Sequence, residues 1–146
     1  MACVGLLIER MASLEDFDVL AAIQVMRARG ARQFVLGGAS LGGAAVLSAA
    51  ALAPSQISGV ISFASPQIFG RIDALKASRA LRVPALFISA DEDEPFPDDA
   101  RALYDACASP DKRIAIVPGT VHGAPVLRDP ATRALVDGWI RDHFRS

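Results

Sequence analysis

The chain has 146 residues, 52% of them hydrophobic, and a formal net charge of −1, enough for one domain spanning 1–146 and too little for two. Acids and bases are interspersed, with no basic patch or aromatic ladder, which sets nucleic acid aside as a partner. A chain this apolar must bury both faces of its strands, which favours helices packed on a parallel sheet over a half-solvated antiparallel one.

In chain order, Cys3 to Ile8 is apolar but too short to span a bilayer. No positive leader precedes it and Glu9-Arg10 follow at once, so it reads as a strand rather than a signal peptide. The expectation is a cytoplasmic chain with no membrane partner. Ser13 to Arg29 reads as a helix, with Ser13 as its cap, Asp16 completing a capping-box variant, and Phe17, Leu20, Ala21, Ile23 and Val25 on its apolar side. Gly30 is its stop. Phe34-Val35-Leu36 reads as a strand and Leu41 to Ala53 as an Ala-rich helix ended by Pro54. Ile57 to Ala64 has buried-strand composition, broken by Ser65-Pro66. Ile68 to Ser78 reads as a loop and one short helix. Ala85 to Ser89 is a buried strand introduced by Pro84, and Pro97 to Cys107 a helix whose first turn carries Asp98 and Asp99. Arg113 to Val117 is the last strand. Asp129-Pro130 opens a final helix with Leu135, Val136, Trp139, Ile140 and Phe144 on one face. The two cysteines, Cys3 and Cys107, form no CxxC or Cys/His cluster, so no metal or redox chemistry is implied, and free buried thiols fit a reducing compartment.

The strand–helix alternation with short connections makes right-handed parallel crossovers. The expected fold is α/β, a mostly parallel sheet of about 4–5 strands with helices on both faces. In such a sheet, function collects at the carboxyl ends of the strands. The loops there carry Gly38-Ala39-Ser40-Leu41-Gly42, then Asp91-Glu92-Asp93-Glu94, then Gly119-Thr120-Val121-His122-Gly123. A serine between a strand and a helix sits on a strained bend. Gly38 and Gly42, with Gly43, make room where strand and helix nearly touch. The Leu41 N–H lies at a helix N-terminus, where donors are unpaired and the dipole favours an oxyanion. A neutral serine hydroxyl needs a base, which His122 supplies at neutral pH. A carboxylate fixes the imidazole tautomer. Asp93 is the preferred acid, with Asp91 its nearest competitor, while Glu92 and Glu94 read as solvated. His143, in the last helix, reads as a surface residue.

These motifs resemble the C-terminal half of an α/β-hydrolase fold protein: Gly38 to Gly43 as nucleophile elbow, Val83 to Asp93 as acid strand and loop, and Pro118 to Gly123 as histidine loop. The resemblance covers Ser13 to the C-terminus. It implies hydrolysis of a small carboxylic ester through an acyl-enzyme, with Ser40, His122 and Asp93 as triad, Leu41 as oxyanion donor, and no cofactor. Acyl transfer and peptidase activity use the same triad. The elbow resembles carboxylesterases and small serine hydrolases. It departs from the dienelactone-hydrolase pattern, which has cysteine where Ser40 stands.

The resemblance also implies missing parts. Family members carry about four strands before the helix leading to the elbow, and this sequence has room for one. Phe34 to Gly37 would then be an apolar sheet edge. Either Cys3 to Ile8 pairs beside it, joined by the Ser13–Arg29 helix, or two copies form a homodimer there. The family's second oxyanion donor comes from an early loop, and losing one donor costs about two to three orders of magnitude in rate. Backbone N–H groups at Glu9, Arg10 or Met11 are the candidate substitutes. The alternative function is therefore a catalytically weak or inactive truncated scaffold that serves as a binding protein. The stretch from Ala64 to Ala80 is too short for a cap domain. That implies an open site for short acyl groups, with Ile68 and Phe69 either lining its wall or packed in the core.

Overall fold

The computed structural model describes residues 15–144. The Cys3–Ile8 strand, the Ser13 cap, the Cys3 thiol and the Glu9–Met11 donors lie outside the described residues. The main sheet has four parallel strands in the order β1 (Val35–Ala39), β2 (Gly59–Phe63), β5 (Ala85–Ala90) and β6 (Lys112–Val117). Ala39 pairs with Phe63, Phe63 with Ile88, and Ala90 with Val117, so β1 and β2 end at one level and β5 and β6 end together two residues further on. Every residue of β2 and β5 is buried, as central strands covered on both faces must be.

Alternation along these strands sorts the core into two layers. Val60, Ala85 and Phe87 face one side, where they meet α1 (Glu15–Ala28), α2 (Leu41–Leu52) and α4 (Phe96–Ala106) through Val19, Ile23, Leu47 and Leu103. The helix α3 (Ala74–Ala80) adds Ala74 and Ala77 to this layer. Ile61, Phe63, Leu86, Ile88 and Ala90 face the other side, where α5 (Pro130–His143) supplies Val136 and Trp139. A Cβ on Gly59 would meet Trp139 at 2.6 Å, which is why β2 opens on glycine. In α2 the side chains are small, and eight residues from Gly42 to Ala50 are buried. Small side chains let this helix lie close to the sheet at the end where β1 delivers Ser40.

Four details differ from the sequence reading. Val25 is 51% exposed, whereas Val19 and Ile23 carry the buried face of α1. The stretch after Pro66 forms a two-stranded antiparallel ribbon, β3 (Ile68–Phe69) with β4 (Ile72–Asp73), before α3. Gly70, at positive φ, makes its turn. A 3₁₀ turn, Ala124–Arg128, precedes α5. His143 is not a surface residue. Its ring stacks on Trp139 at 4.3 Å, its Nδ1 lies 2.7 Å from the Trp139 carbonyl oxygen, and its Nε2 lies 2.9 Å from Asp111 Oδ2. Stacking and a polar contact one turn back along the helix, with a second polar contact to a residue 32 positions away, are not visible as periodicity. Cys107 is buried, and burial pushes its thiol up from its ordinary value.

Asp129 caps α5. Its Oδ2 accepts from the Thr132 N–H at 2.7 Å and from the Thr132 hydroxyl at 2.8 Å. The backbone N–H first, and the hydroxyl second, hold this carboxyl below the ordinary carboxylate range. A depressed carboxyl stabilises the fold above its unfolded-state pKa and loses that contribution as pH falls through its folded value. Thermal unfolding of the native chain and of Asp129→Ala should therefore differ most near neutrality, with the variant less stable. The gap should narrow as the buffer is taken below the ordinary carboxylate range.

Candidate active site

Between Ala39, the last residue of β1, and Leu41, the first of α2, Ser40 alone makes the turn, at φ 52° and ψ −123°. A non-glycine residue there carries strain of about 1–3 kcal/mol. The surroundings hold it in place. The Ser40 N–H donates to the Phe63 carbonyl at 2.8 Å, and the Ser40 carbonyl accepts from the N–H groups of Gly43 and Ala44 at 3.0 and 3.2 Å. Although Ser40 occupies the N-cap position, its side chain makes no capping hydrogen bond. The hydroxyl is therefore not spent on the helix. The Leu41 N–H, in the first turn, has no acceptor within α2 by helix geometry and sits at the positive end of the dipole.

Glycine is required beside it for steric reasons. A Cβ on Gly38 would overlap the Gly42 carbonyl, and a Cβ on Gly43 would overlap the Ser65 hydroxyl. Ser65 is buried and shares a 2.6 Å hydrogen bond with Ser62, itself buried in β2. Sequence reading missed this serine pair. Its signal was present as two serines three apart, Ser62 inside a strand of otherwise apolar residues and Ser65 just past its end.

The two competing acids have separate partners. Asp93 Oδ2 lies 2.7 Å from His122 Nδ1, and the Asp93 side chain is 11% exposed against 42% for His122. Asp91 instead accepts from the Gly119 N–H at 2.8 Å through Oδ1. Asp91 thus ties the histidine loop to the end of β5, reinforced by the Glu92 N–H donating to the Gly119 carbonyl at 3.0 Å. Glu92 and Glu94 are exposed, as expected. An ionised carboxylate only accepts, so the Asp93 contact places the imidazole proton on Nδ1 and leaves Nε2 as the basic nitrogen. Gly123, at φ 70°, follows His122, and a Cβ there would come 3.1 Å from the Ala39 side chain. The residue after His122 therefore lies against the residue before Ser40. Phe96, the first residue of α4, lies with its ring centroid 4.4 Å from that of His122, tilted by 48°. Sequence reading did not single it out.

Other features lie away from this cluster. His143 contacts Asp111, which precedes β6 at the amino ends of the strands. An apolar groove of about 250 Å³ runs between α1 and β1, lined by Val19, Ile23, Met26, Phe34 and Leu36 among others, with no titratable group. Among the described residues β1 pairs with β2 alone, so the groove marks a sheet edge rather than the strand ends. Among the described residues no group of three or more His, Cys, Asp and Glu could hold a metal ion. No helix among them is long and apolar enough to cross a membrane.

No protein-family model and no curated protein matches the sequence. Solved structures do match. A monoacylglycerol lipase of Paleococcus ferrophilus is 18% identical with a TM-score of 0.72, over 92% of this chain and 78% of that one. A proline iminopeptidase of Mycobacterium smegmatis is 16% identical with a TM-score of 0.73, over 88% and 72%. A dienelactone hydrolase of Anabaena variabilis is 25% identical with a TM-score of 0.64, over 76% of this chain and 50% of that one. The chain has the α/β-hydrolase fold. These neighbours are named for different substrates, so what they share with this chain is a hydrolase scaffold.

Urea unfolding tests the crowding at the turn. Gly38→Ala and Gly43→Ala should each lose at least about 1–3 kcal/mol of stability, because backbone and a buried hydroxyl must shift. Gly138→Ala in α5 is the control. Its Cβ would meet only the flexible end of Arg141, at 3.8 Å, and it should gain up to about 1 kcal/mol from helix propensity.

Proposed function

We propose that the chain is a serine hydrolase that cleaves small carboxylic esters through an acyl-enzyme. The observation that carries this reading is the backbone of Ser40, a strained non-glycine residue at a strand–helix turn whose hydroxyl does not cap its helix. The 2.7 Å contact between Asp93 and His122 supports it.

Ser40 Oγ attacks the ester carbonyl as its proton passes to His122 Nε2. The carbonyl π electrons move to oxygen, and the Leu41 N–H stabilises that oxyanion. Asp93 holds the imidazolium through Nδ1–H. The tetrahedral intermediate collapses, the C–O bond to the alcohol breaks, and the leaving oxygen takes the proton from Nε2. Water then repeats the sequence on the acyl-serine and releases the acid. Short acyl groups suit the site, because the stretch after β2 is a small ribbon and one seven-residue helix rather than a cap. Ile68 and Phe69 are 63% and 41% exposed, so they present apolar surface to solvent rather than packing in the core.

The test is labelling by a fluorophosphonate probe, with folding verified by circular dichroism and a cooperative thermal transition. The native chain should label, and Ser40→Ala and His122→Ala should not. Asp93→Asn should hydrolyse p-nitrophenyl acetate about 10⁴-fold more slowly, since the amide favours the wrong tautomer. A folded native chain that takes no label would overturn the reading in favour of a binding scaffold that keeps the triad without turnover.

A further inference from the structure

The hydrogen bond from His122 to Asp93 leaves one freedom unaccounted for. A single contact at Nδ1 sets a distance, but the imidazole can still swing about the line joining Nδ1 to Oδ2. Such a swing re-aims Nε2 while the Asp93 bond survives. The loop that bears His122 does not prevent it, since Gly119 at φ 123° and Gly123 at φ 70° flank a short exposed segment. The ring itself is 42% exposed on its side chain.

Phe96 supplies the missing restraint. Its ring lies 4.4 Å from the imidazole, centroid to centroid, with the planes inclined at 48°. Its placement is tied to that of Asp93, because the Phe96 N–H donates to the Asp93 carbonyl at 2.9 Å. One tight turn thus delivers a carboxylate to the edge of the imidazole and an aromatic ring to its face. The turn is anchored behind Phe96 by Pro97, buried at the start of α4. An aromatic ring against an imidazole also excludes water from one side of the Asp93 contact, and it attracts the ring when it becomes an imidazolium.

We propose that Phe96 is a positioning residue that fixes the plane of His122, acting through His122 and not on the substrate. This rests on the reading of Ser40, His122 and Asp93 as a triad. Two predictions separate it from a substrate-wall role. Positioning affects turnover of all substrates alike and leaves a mark on His122 without any substrate. A wall affects binding and depends on acyl length.

The experiment uses the full chain and its Phe96→Ala, Phe96→Leu and Phe96→Tyr variants. Steady-state hydrolysis is measured on p-nitrophenyl acetate and butyrate, and ¹⁵N NMR reads the imidazole nitrogens. The chain has two histidines, so His122→Ala assigns the signals. The native chain should show His122 as a single Nδ1–H tautomer with a slowly exchanging proton. Phe96→Ala should keep the Nδ1–H tautomer but lose the slow exchange of that proton, with kcat down about 10- to 100-fold on both esters and KM within about 3-fold. Phe96→Tyr, which keeps the ring, should restore slow exchange and kcat. If Phe96→Ala does not fold, Phe96→Leu carries the test, because it keeps apolar volume without the ring. Native-like slow exchange in the Ala or Leu variant overturns the proposal, as does a loss confined to KM on the longer ester. If the native chain hydrolyses neither ester, the proposed function fails, and the NMR comparison still decides whether Phe96 holds the imidazole.

Discussion

Where β1 passes into α2, backbone from strand and helix and a side chain from a third stretch share space that admits only hydrogen atoms at the glycines. The Gly42 carbonyl occupies the place of a Gly38 Cβ, and the Ser65 hydroxyl the place of a Gly43 Cβ. This approach positions everything that follows. It brings the start of α2 against the end of β1, so Ser40 must bridge them in a single residue at positive φ. Such strain persists only when the surroundings over-determine it. Here the sheet ladder does so. The Ser40 N–H continues the β1–β2 pairing to Phe63, and the Ala64 N–H continues the β2–β5 pairing to Ile88, each at 2.8 Å. Ala64 is the other described non-glycine residue at positive φ. Two neighbouring strands thus end in strained residues, each held by one ladder bond beyond its strand. The Ser62–Ser65 pair beneath them satisfies two buried hydroxyls with each other, so the crowding leaves neither orphaned.

Much of this was legible in the sequence because it is local. A strand, a glycine-flanked serine and a small-residue helix are contiguous, and the near-continuous apolar runs of β2 and β5 announce strands buried on both faces. Element boundaries followed from prolines and caps, as at Pro54, Pro84 and Asp129. What escaped depends on contacts between distant segments. The ribbon Ile68–Asp73 has too few residues for periodicity to speak, and Val25 keeps a helical spacing while pointing to solvent. The choice between Asp91 and Asp93 could be argued from chain direction, but their partners, Gly119 and His122, lie 28 and 29 residues away. Phe96 sits in a Pro-rich helix start, where an aromatic reads as core.

The loops after β5 and β6 function as one unit for the same reason. Parallel pairing in register, from Ala85 with Lys112 to Ala90 with Val117, ends both strands at one level. Pairing then continues past the strands. The Asp91 N–H donates to the Val117 carbonyl, the Glu92 N–H to the Gly119 carbonyl, and the Gly119 N–H to the Asp91 carboxylate, at 2.9, 3.0 and 2.8 Å. Only after these three bonds does Asp93 meet His122. The separation of the acids is thus a division of labour: Asp91 sets where the histidine loop lies, and Asp93 sets which nitrogen of the imidazole carries the proton.

The two histidines show why a His–Asp contact alone does not define an active site. Both have a carboxylate within 2.9 Å. His143 uses its second nitrogen as well, on the Trp139 carbonyl, and stacks on the Trp139 ring at the amino ends of the strands. With both nitrogens engaged, this ring has none left for a further partner. His122 makes its one side-chain hydrogen bond among the described residues through Nδ1. Its other nitrogen keeps a lone pair, at the end of the sheet where Gly123 packs against Ala39 and the chain turns through Ser40. The difference between the two histidines is the unspent nitrogen and what stands near it. In this fold the strand ends decide both, since the carboxyl ends gather the loops that leave Nε2 open and the amino ends close His143 onto helix and carboxylate.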